Sequence, residues 1–410
     1  MNVSSFIAKR IAFNRQKSFS RFIIRLATLA TAISVAAMII SSSFVSGFQQ
    51  AVSQKIFSFW GHLRVQQYEP AKSIVAEEAP LQQNAQVYNI IRHNSNVKEV
   101  HPFATKSAVI EKNKDIEGIL IKGVDKHYDF NNLHAFLQKG RWLRFNDSSY
   151  SKEIVISQPV ASELNIKIND TVFIYFISSQ YGKASVHKLR VSGIYKTGID
   201  EYDKLFAIGD IRLIRRVNGW HKNEIGGYEV FLKNYRLMDT TSQLLNNELP
   251  GSWMSKTIRD VYPNIFDWLN IQDVNKNVIY IIMSIVAIIN LITCLLILVL
   301  ERMKMTGILK SVGSSNWVIQ KIFLYHSSLI AIRGVLYGFI FGIGICLLQQ
   351  YTGFLKLDES AYYVSVAPVV IVWPEVIMIC VATIVICYLS LLLPTIFVKR
   401  IRPVQAIKFD

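Results

Sequence analysis

The sequence predicts an α-helical membrane protein with four transmembrane helices and a large extracytoplasmic α+β domain in two lobes, inserted between spans 1 and 2. The first observation is composition, because 51% of the 410 residues are apolar and only 18% are charged. The second is the presence of four long apolar runs. The third is a long segment of balanced charge and mixed periodicity between the first two runs. Buried helices of a large soluble protein are the alternative, although soluble helices are rarely apolar all round over such lengths.

The four apolar runs define the predicted spans. A helix that rises 1.5 Å per residue needs about 20 residues to cross a hydrocarbon core about 30 Å thick. We place transmembrane helices at 22–48, 277–300, 322–350 and 368–398. The remaining segments are an N-terminal segment 1–21, a domain 49–276, loops 301–321 and 351–367, and a tail 399–410.

Positive charges set the predicted orientation, because lysine and arginine in short flanking loops stay on the cytoplasmic side. The N-terminal segment with Arg25, the loop 301–321 and the tail 399–410 together hold 14 basic and 2 acidic residues, which is most of the chain's overall excess of +16. Both termini are therefore predicted to be cytoplasmic, and residues 49–276 periplasmic. This topological explanation of the charge leaves little reason to predict binding to nucleic acid.

The N-terminal segment 1–21 has a helical apolar pattern among its basic residues. Val3, Phe6, Ile7 and Ile11 have the spacing of one helix face. We interpret the segment as a cytoplasmic amphipathic helix lying on the inner membrane surface. A mobile basic tail is the alternative.

Mixed periodicities within 49–276 predict an α+β domain. Strand patterns occur in GHLRVQQY, VKEVHPFATKSAVI, IEGILIKGVD, DTVFIYFI, HKLRVSGIY, GYEVFLK and SWMSKTIRD. Helical spacing occurs in QQNAQVYNIIRH and near Asp239, and EIVISQPVASELNI has the pattern of a strand followed by a helix. We divide the domain into a membrane-proximal lobe, 49–112 with 228–276, and a β-rich lobe, 113–227.

Motifs for catalysis or metal binding do not stand out. The four cysteines all fall inside predicted spans, and the histidines lack an HExxH spacing, so no metal site is predicted. The pair Gly182-Lys183 lacks the rest of a P-loop, so ATP hydrolysis would need another subunit. The acidic stretch GIDEYDK, with Asp203, is explained by a charged turn on a solvated loop.

The segment LERMKMTGILKSVG, at 300–313, carries a resemblance to a known family. It resembles the cytoplasmic loop of the FtsX/MacB-type permeases of ABC transporters, and most closely that of the lipoprotein-releasing (Lol-type) permease subunits. The matching positions are Glu301, Arg302, Gly307, Ile308, Leu309, Lys310 and Gly313. SSSFVSGFQQAVSQKIFSFWGHLRV, KGRWL, SKEIVISQPVASELNIKINDTV, YYVSVAP and PVQAIKFD extend the resemblance along the chain. Met305 departs from it, because many relatives have an acid there, and the loop 178–185 is shorter than the hairpin of some relatives.

The resemblance implies that residues 301–313 form a coupling helix docked in a groove of a cytosolic ABC ATPase. An apolar stripe of Met303, Thr306, Ile308, Leu309 and Val312 fits such a helix, and Gly313 can end it in the left-handed conformation. An ordinary cytoplasmic turn with topological positive charges is the alternative. The implied partners are an ATPase dimer that holds ATP and Mg²⁺, a second permease copy or paralogue, lipoprotein cargo, a periplasmic lipoprotein chaperone and membrane lipid. The chain itself is expected to be non-catalytic and to bind no cofactor.

Three further features concern the spans. Gly334, Gly338 and Gly342 leave a stripe without side chains, which favours helix packing within the bundle, with a dimer contact as the alternative.

Five aromatic residues are predicted to be interfacial anchors, namely Trp60, Trp268, Tyr362, Tyr363 and Trp373. For a lipid or acyl chain we predict a site between the outer halves of spans 1 and 2, formed by Ile40, Phe44, Phe48, Ile279, Ile282 and Met283. The alternative is that these residues face bulk lipid or pack in the bundle.

The sequence is thus interpreted as the permease subunit of an ABC transporter in a bacterial inner membrane. By resemblance, it uses ATP hydrolysis in a partner subunit to extract lipoproteins from the outer leaflet for delivery to the outer membrane, by mechanical transmission. Two alternatives stay open. They are a MacB-like efflux or peptide-sensing permease and an FtsX-like activator of a cell-wall hydrolase.

Overall fold

The computed structural model describes residues 19–67, 77–147, 149–177 and 184–395. The chain divides into two compact units. The first, here called the membrane unit, contains the chain up to Gln50, Trp268–Lys356 and the chain from Val366 onward. The second, the extracytoplasmic unit, contains Ala51–Asp267 and Leu357–Ser365. The predicted N-terminal helix through residue 18, residues 178–183 of the short loop and the tail 399–410 lie outside the described residues.

The described residues form four long helices together with shorter helices and strands. In chain order they are α1 (Phe19–Trp60), β1 (Leu63–Gln67), β2 (Leu81–Gln82), α2 (Ala85–His93), β3 (Val97–Lys112), β4 (Asp115–Val124), β5 (Leu137–Gly140), β6 (Glu153–Ser157), α3 (Gln158–Glu163), β7 (Thr171–Ile177), β8 (Ala184–Tyr195), α4 (Asp200–Asp203), β9 (Phe206–Asp210), α5 (Ile211–Asn218), β10 (Glu224–Ile225), β11 (Gly227–Leu232), α6 (Met238–Glu248), β12 (Trp253–Thr257), α7 (Ile258–Val261), α8 (Pro263–Glu301), α9 (Met303–Ser311), α10 (Asn316–Thr352), α11 (Glu359–Tyr362) and α12 (Trp373–Thr395). Short 3₁₀ helices occur at Phe130–Phe136 and Tyr235–Leu237.

Four of these helices, α1, α8, α10 and α12, are long and apolar enough to cross a membrane. Their number and order agree with the predicted spans. Both α1 and α8 are longer than predicted, because the helix continues past 48 to Trp60 and begins before 277, at Pro263. The last helix begins at Trp373 instead of 368, and Pro374 lies in its first turn, where the missing N–H costs nothing.

The membrane unit is held together by two apolar clusters and by close contact between α1 and α10. One cluster, which includes Ala27, Leu291 and Phe323, joins all four long helices. The predicted glycine stripe faces α1. A Cβ on Gly334 would lie 2.7 Å from Thr31 Cβ, and one on Gly342 would lie 3.1 Å from Ile39 Cβ. The lack of side chains therefore lets the two backbones approach within one chain.

The extracytoplasmic unit contains a ten-stranded mixed sheet. Its main order is β12-β1-β11-β3-β4-β9-β6-β8-β5, and β7 pairs with both β3 and β8. The pairs β4–β9 and β6–β8 are parallel, and the remaining pairs of this sheet are antiparallel. All the strand patterns predicted above coincide with strands. However, the strands of the two predicted lobes join in one sheet through the long β3–β4 pair, so the division into two lobes stays a prediction.

Two predictions about side chains are wrong. Trp60 is fully buried rather than interfacial, since the guanidinium of Arg64 lies 4.1 Å from its ring centre and Phe206 packs edge-on at 4.9 Å. Asp203 does not lie on a solvated loop. Its carboxylate is buried and accepts hydrogen bonds from the backbone N–H groups of Thr197 and Gly198, both at 2.9 Å. Glu201 in the same acidic stretch, by contrast, is exposed.

A buried ion pair lies where the end of α1 meets the sheet. The Nζ of Lys122 on β4 lies 2.9 Å from the Oε2 of Glu229 on β11, and neither side chain is exposed. Lys122 also donates to the backbone carbonyl of Phe59, near the end of α1. Burial lowers the pKa of Lys122 to about 8 although the charge of Glu229 opposes this, and burial raises the pKa of Glu229.

Replacing Gly338 with valine should destabilise the membrane unit. A Cβ there would lie 2.6 Å from the carbonyl oxygen of Ala32 and 2.7 Å from Val35 Cβ, so the two helices must separate. We expect a loss of about 1–3 kcal/mol, as for overpacked cores, seen as a lower melting temperature of the full chain in detergent. Gly344→Val on the same helix is the matched control, because nothing lies within 4 Å of its Cβ position. Equal shifts for both variants would contradict the packing role.

Replacing Lys122 with methionine should destabilise the full chain more than removing both partners does. The single variant removes the lysine that is ion-paired with the buried Glu229, which costs about 3–5 kcal/mol, whereas Lys122→Met with Glu229→Leu leaves an apolar pair and Arg64 keeps the charge of Glu78 nearby. Thermal unfolding in detergent measures both. If the double variant melts no higher than the single variant, the ion pair does not explain the burial of the two groups.

Candidate functional site

The segment between the second and third membrane helices forms α9. Its start follows a break at Arg302, where the backbone has φ −105° and ψ 24°. At its end Gly313 has φ 91°, which confirms the left-handed conformation predicted for this residue. The N–H of Gly313 donates to Lys310 O (3.0 Å), and the N–H of Ser314 donates to Leu309 O (2.9 Å). These two bonds make a Schellman motif, which ends the helix at a fixed residue.

One face of α9 packs inside the membrane unit. Thr306 and Gly307 are buried, and Met305 and Leu309 pack against the cluster that joins the long helices. The Thr306 hydroxyl donates to Arg302 O at 3.0 Å. This face therefore fixes the orientation of α9 relative to the four long helices.

The opposite face exposes apolar side chains. Ile308 is 56% exposed and Val312 is 81% exposed, and Trp317 at the start of α10 is 55% exposed. Lys321 lies 5.1 Å from the centre of the Trp317 ring. We call Ile308, Val312 and Trp317 the α9 surface. Large apolar side chains that stay exposed on a short, anchored helix are typical of a surface that binds another protein.

The structure divides the predicted coupling residues between these two faces. Of the predicted apolar stripe, Leu309 and Thr306 face the bundle, and only Ile308 and Val312 are exposed. Glu301 is the last residue of α8. Trp317 was not predicted as part of this surface, although a large apolar residue two positions after the N-cap Ser315 was visible in the sequence.

The residues predicted to bind an acyl chain differ in exposure. Phe48 is buried and packs edge-on against Trp268 of α8, with ring centres 5.2 Å apart, and Phe44 stacks on Phe48 at 6.0 Å. Ile40 and Met283 pack against the second apolar cluster of the membrane unit. Ile279 is half-buried and Ile282 is 49% exposed. The structure thus brings aromatic rings of α1 and α8 together and leaves Ile282 accessible.

Polar contacts near these aromatic rings were not predicted. The Oγ of Ser42 on α1 donates to Glu375 of α12 at 2.5 Å. Lys276 of α8 lies 3.0 Å from Asp273 and 3.9 Å from Glu375, and Gln49 of α1 donates to Asp273 at 2.9 Å. The pattern of Asp273 and Lys276 three residues apart was a local signal, but their link to α12 depends on the tertiary fold.

Comparison with known families covers most of the chain. Residues 26–232 match the model of the MacB-like periplasmic core domain, and residues 277–403 match the model of the FtsX-like permease C-terminal region. The solved periplasmic region of MacB from Actinobacillus actinomycetemcomitans covers 50% of this chain and 91% of its own length, with a TM-score of 0.35 and 13% identity.

Similarity to curated proteins extends over the full chain. The lipoprotein-releasing system transmembrane protein LolE of Haemophilus influenzae is 22% identical and covers 99% of both chains. The LolC protein of the same organism is 24% identical over 100% of this chain and 99% of its own, and LolC of Xylella fastidiosa is 20% identical over 97% and 96%. The first family model alone matches half of the chain. The chain therefore belongs to the family defined by a MacB-like periplasmic core domain, here followed by an FtsX-like permease C-terminal region.

Proposed function

We propose that the chain is the permease subunit of an ABC transporter that releases lipoproteins from the outer leaflet of the inner membrane. The observation that carries this proposal is its similarity over 99% of its length to a protein named for the lipoprotein-releasing system. Four membrane helices and a domain that matches a periplasmic core fit the proposal. The chain works as a non-catalytic subunit, and a partner binds ATP and Mg²⁺ and hydrolyses the nucleotide.

The α9 surface is proposed as the docking site for that partner, a cytosolic ABC ATPase dimer. Ile308 and Val312 would fill an apolar groove of the ATPase, while Lys304 meets carboxylates at the groove's edge. The buried face of α9 would pass a displacement of the ATPase to the long helices. A second permease copy or paralogue completes the complex, since an ATPase dimer offers two grooves.

The orientation follows from charge. We propose that both termini are cytoplasmic and that 49–276 is periplasmic, because lysine and arginine are concentrated in the segments that flank the spans on one side. In this orientation α9 faces the cytosol. The predicted acyl-binding residues lie at the depth of the outer leaflet, and released cargo passes to a periplasmic lipoprotein chaperone.

The acyl chains of the cargo are proposed to enter between the outer halves of α1 and α8. A chain of about 16 carbons resists exposure to water by roughly 12 kcal/mol, at about 0.8 kcal/mol per methylene. An apolar protein surface must therefore receive it. Ile282, which is accessible, and the half-buried Phe44 offer such a surface, and Phe44 stacks on the buried ring of Phe48.

The MacB-like model match supports a second candidate, an efflux or peptide-sensing permease. Such a protein would need the same docking helix but no acyl site. An FtsX-like activator of a cell-wall hydrolase is a third. The requirement for an acylated cargo distinguishes the proposed function from both.

The double variant Ile308→Asp with Val312→Asp should uncouple the ATPase. Two charges on the α9 surface cannot enter an apolar groove without a large desolvation cost, so we expect at least a tenfold loss of cargo-stimulated ATP turnover in the reconstituted complex. The matched control exchanges the two residues, Ile308→Val with Val312→Ile, and should keep at least half of the stimulation. Unchanged turnover in the charged variant would contradict docking at this surface.

A photo-crosslinking residue at position 282 should capture an acylated lipoprotein in the nucleotide-free complex and lose it when ATP binds. The control is position 289 on the same face of α8, where Ile289 is 59% exposed but lies about 10 Å further along the helix. Capture there should be several-fold weaker. Equal capture of acylated and non-acylated cargo at position 282 would refute lipid extraction and favour the efflux permease.

A further inference from the structure

Residues 357–365, between the third and fourth membrane helices, belong to the extracytoplasmic unit. The segment contains α11 and is closed on itself, because the N–H of Leu357 donates to Ser365 O at 3.0 Å. At its other end the N–H of Tyr363 donates to Glu359 O at 2.8 Å. A short stretch of chain that connects two membrane helices is therefore a folded part of the extracytoplasmic unit.

Two lysines of the extracytoplasmic unit hold this segment. Lys196, at the end of β8, forms an ion pair with Glu359. Lys55, near the end of α1, lies 4.0 Å from the other oxygen of Glu359 and donates to Tyr363 O at 2.7 Å. The hydroxyl of Tyr363 donates to Glu201 at 2.9 Å. One carboxylate and one tyrosine thus join α1, β8 and α4 to a single short segment.

The socket for Glu359 is built by the turn after β8. Gly198 has φ 76°, and a Cβ at this position would lie 2.7 Å from Lys55 Nζ and would also contact the Glu359 carboxylate. The buried carboxylate of Asp203 holds the turn by accepting from the backbone N–H groups of Thr197 and Gly198. Only a turn without a side chain leaves room for the inserted carboxylate.

These contacts can break at low cost, unlike the ion pair in the core. The side chains of Lys55, Lys196 and Glu359 are 22%, 37% and 31% exposed, so water competes for each charge. The pair of Lys122 with Glu229, by contrast, is fully buried. Tyr363 adopts a φ of 60°, which a non-glycine residue rarely adopts and which an alternative arrangement of the segment would relieve.

We propose that Glu359 and Tyr363, seated on Lys55, Lys196 and the Gly198 turn, form a releasable latch that holds residues 357–365 on the rest of the extracytoplasmic unit. This inference rests on the proposed function, because the latch regulates the same transport cycle. The latch is closed without nucleotide and opens when ATP binds to the partner subunit. Lys55, Lys196 and Glu359 are positioning residues, since they hold this segment and do not touch the cargo.

Cross-linking tests the latch directly. The double variant Lys196→Cys with Glu359→Cys is made in full-length chain whose native cysteines, Cys294, Cys346, Cys380 and Cys387, are replaced by serine, and is assembled with its ATPase. We expect cross-linking by a short bis-methanethiosulfonate reagent, which bridges two thiols reversibly, in the nucleotide-free complex and at least a threefold slower rate with a non-hydrolysable ATP analogue. This measurement needs no lipoprotein, so it judges the latch even if release fails. Equal rates in both states would overturn the proposal.

Cargo release gives the second measurement. Release of a triacylated reporter lipoprotein from vesicles should fall at least fivefold in the cross-linked complex and recover on reduction. Normal release by a fully cross-linked complex would overturn the latch. If the uncross-linked wild type releases neither this reporter nor any other acylated protein, the proposed function fails, while the cross-linking rates still decide whether a latch exists.

Charge reversal separates a specific contact from a general loss of stability. Lys196→Glu and Glu359→Lys should each lower release at least threefold, and the double reversal, made together with Lys55→Gln to remove the other nearby positive charge, should restore at least half of it. Lys126→Glu is the matched control, because Lys126 is exposed and belongs to the same unit. A combined variant no better than the weaker single variant would refute the pairing as the source of coupling.

Discussion

The extracytoplasmic unit depends on the burial of Glu229 between two positive charges. Arg64 of β1 lies directly opposite Glu229 in the β1–β11 register, and Lys122 approaches from β4, on the other side of β3. Lys122 also binds the Phe59 carbonyl at the end of α1. An unpaired charge buried at this depth would lower the free energy of unfolding by several kcal/mol. The last turn of α1, the central strands and their charges must therefore assemble together, and this fixes the position of Trp60 in the core.

Patterns that are local in sequence predicted the structure well. Runs of apolar residues located the four long helices, and strand patterns located β1, β3, β4, β6, β7, β8, β11 and β12 but not β2, β5, β9 or β10. Gly313 identified the end of α9 because glycine adopts a positive φ more readily than other residues. The helix α5 was missed although Asp210 accepts from the N–H of Arg212 and Gly219 follows at φ 68°, both helix-end signals. The apolar face of this helix is short, and the two arginines in its last turn interrupt the apolar pattern by which a helix is recognised.

Features that depend on contacts between distant residues could not be predicted. Trp60 follows an apolar run, as an interfacial anchor does, and only the sheet that covers it explains its burial. Asp203 resembles the nearby acidic residue Glu201, which is exposed, yet the partners of Asp203 are backbone N–H groups of the preceding turn. The predicted apolar stripe of α9 combined residues from its packed face and its exposed face for the same reason. Helical spacing groups Ile308 with Leu309, but only the packing of the long helices determines which of the two is covered.

The contacts that stabilise the fold differ in energy from the contacts that we propose to change during function. The fully buried pair of Lys122 and Glu229 costs about 3–5 kcal/mol to break, because a charge is left without water. Ion pairs with water at one side, such as Glu359 with Lys196, contribute about 0–1 kcal/mol and can exchange partners during a cycle. The exposed apolar pair on α9 gains stability only when another surface covers it. In the proposed transport cycle the fully buried contacts would persist, while the half-exposed contacts would change.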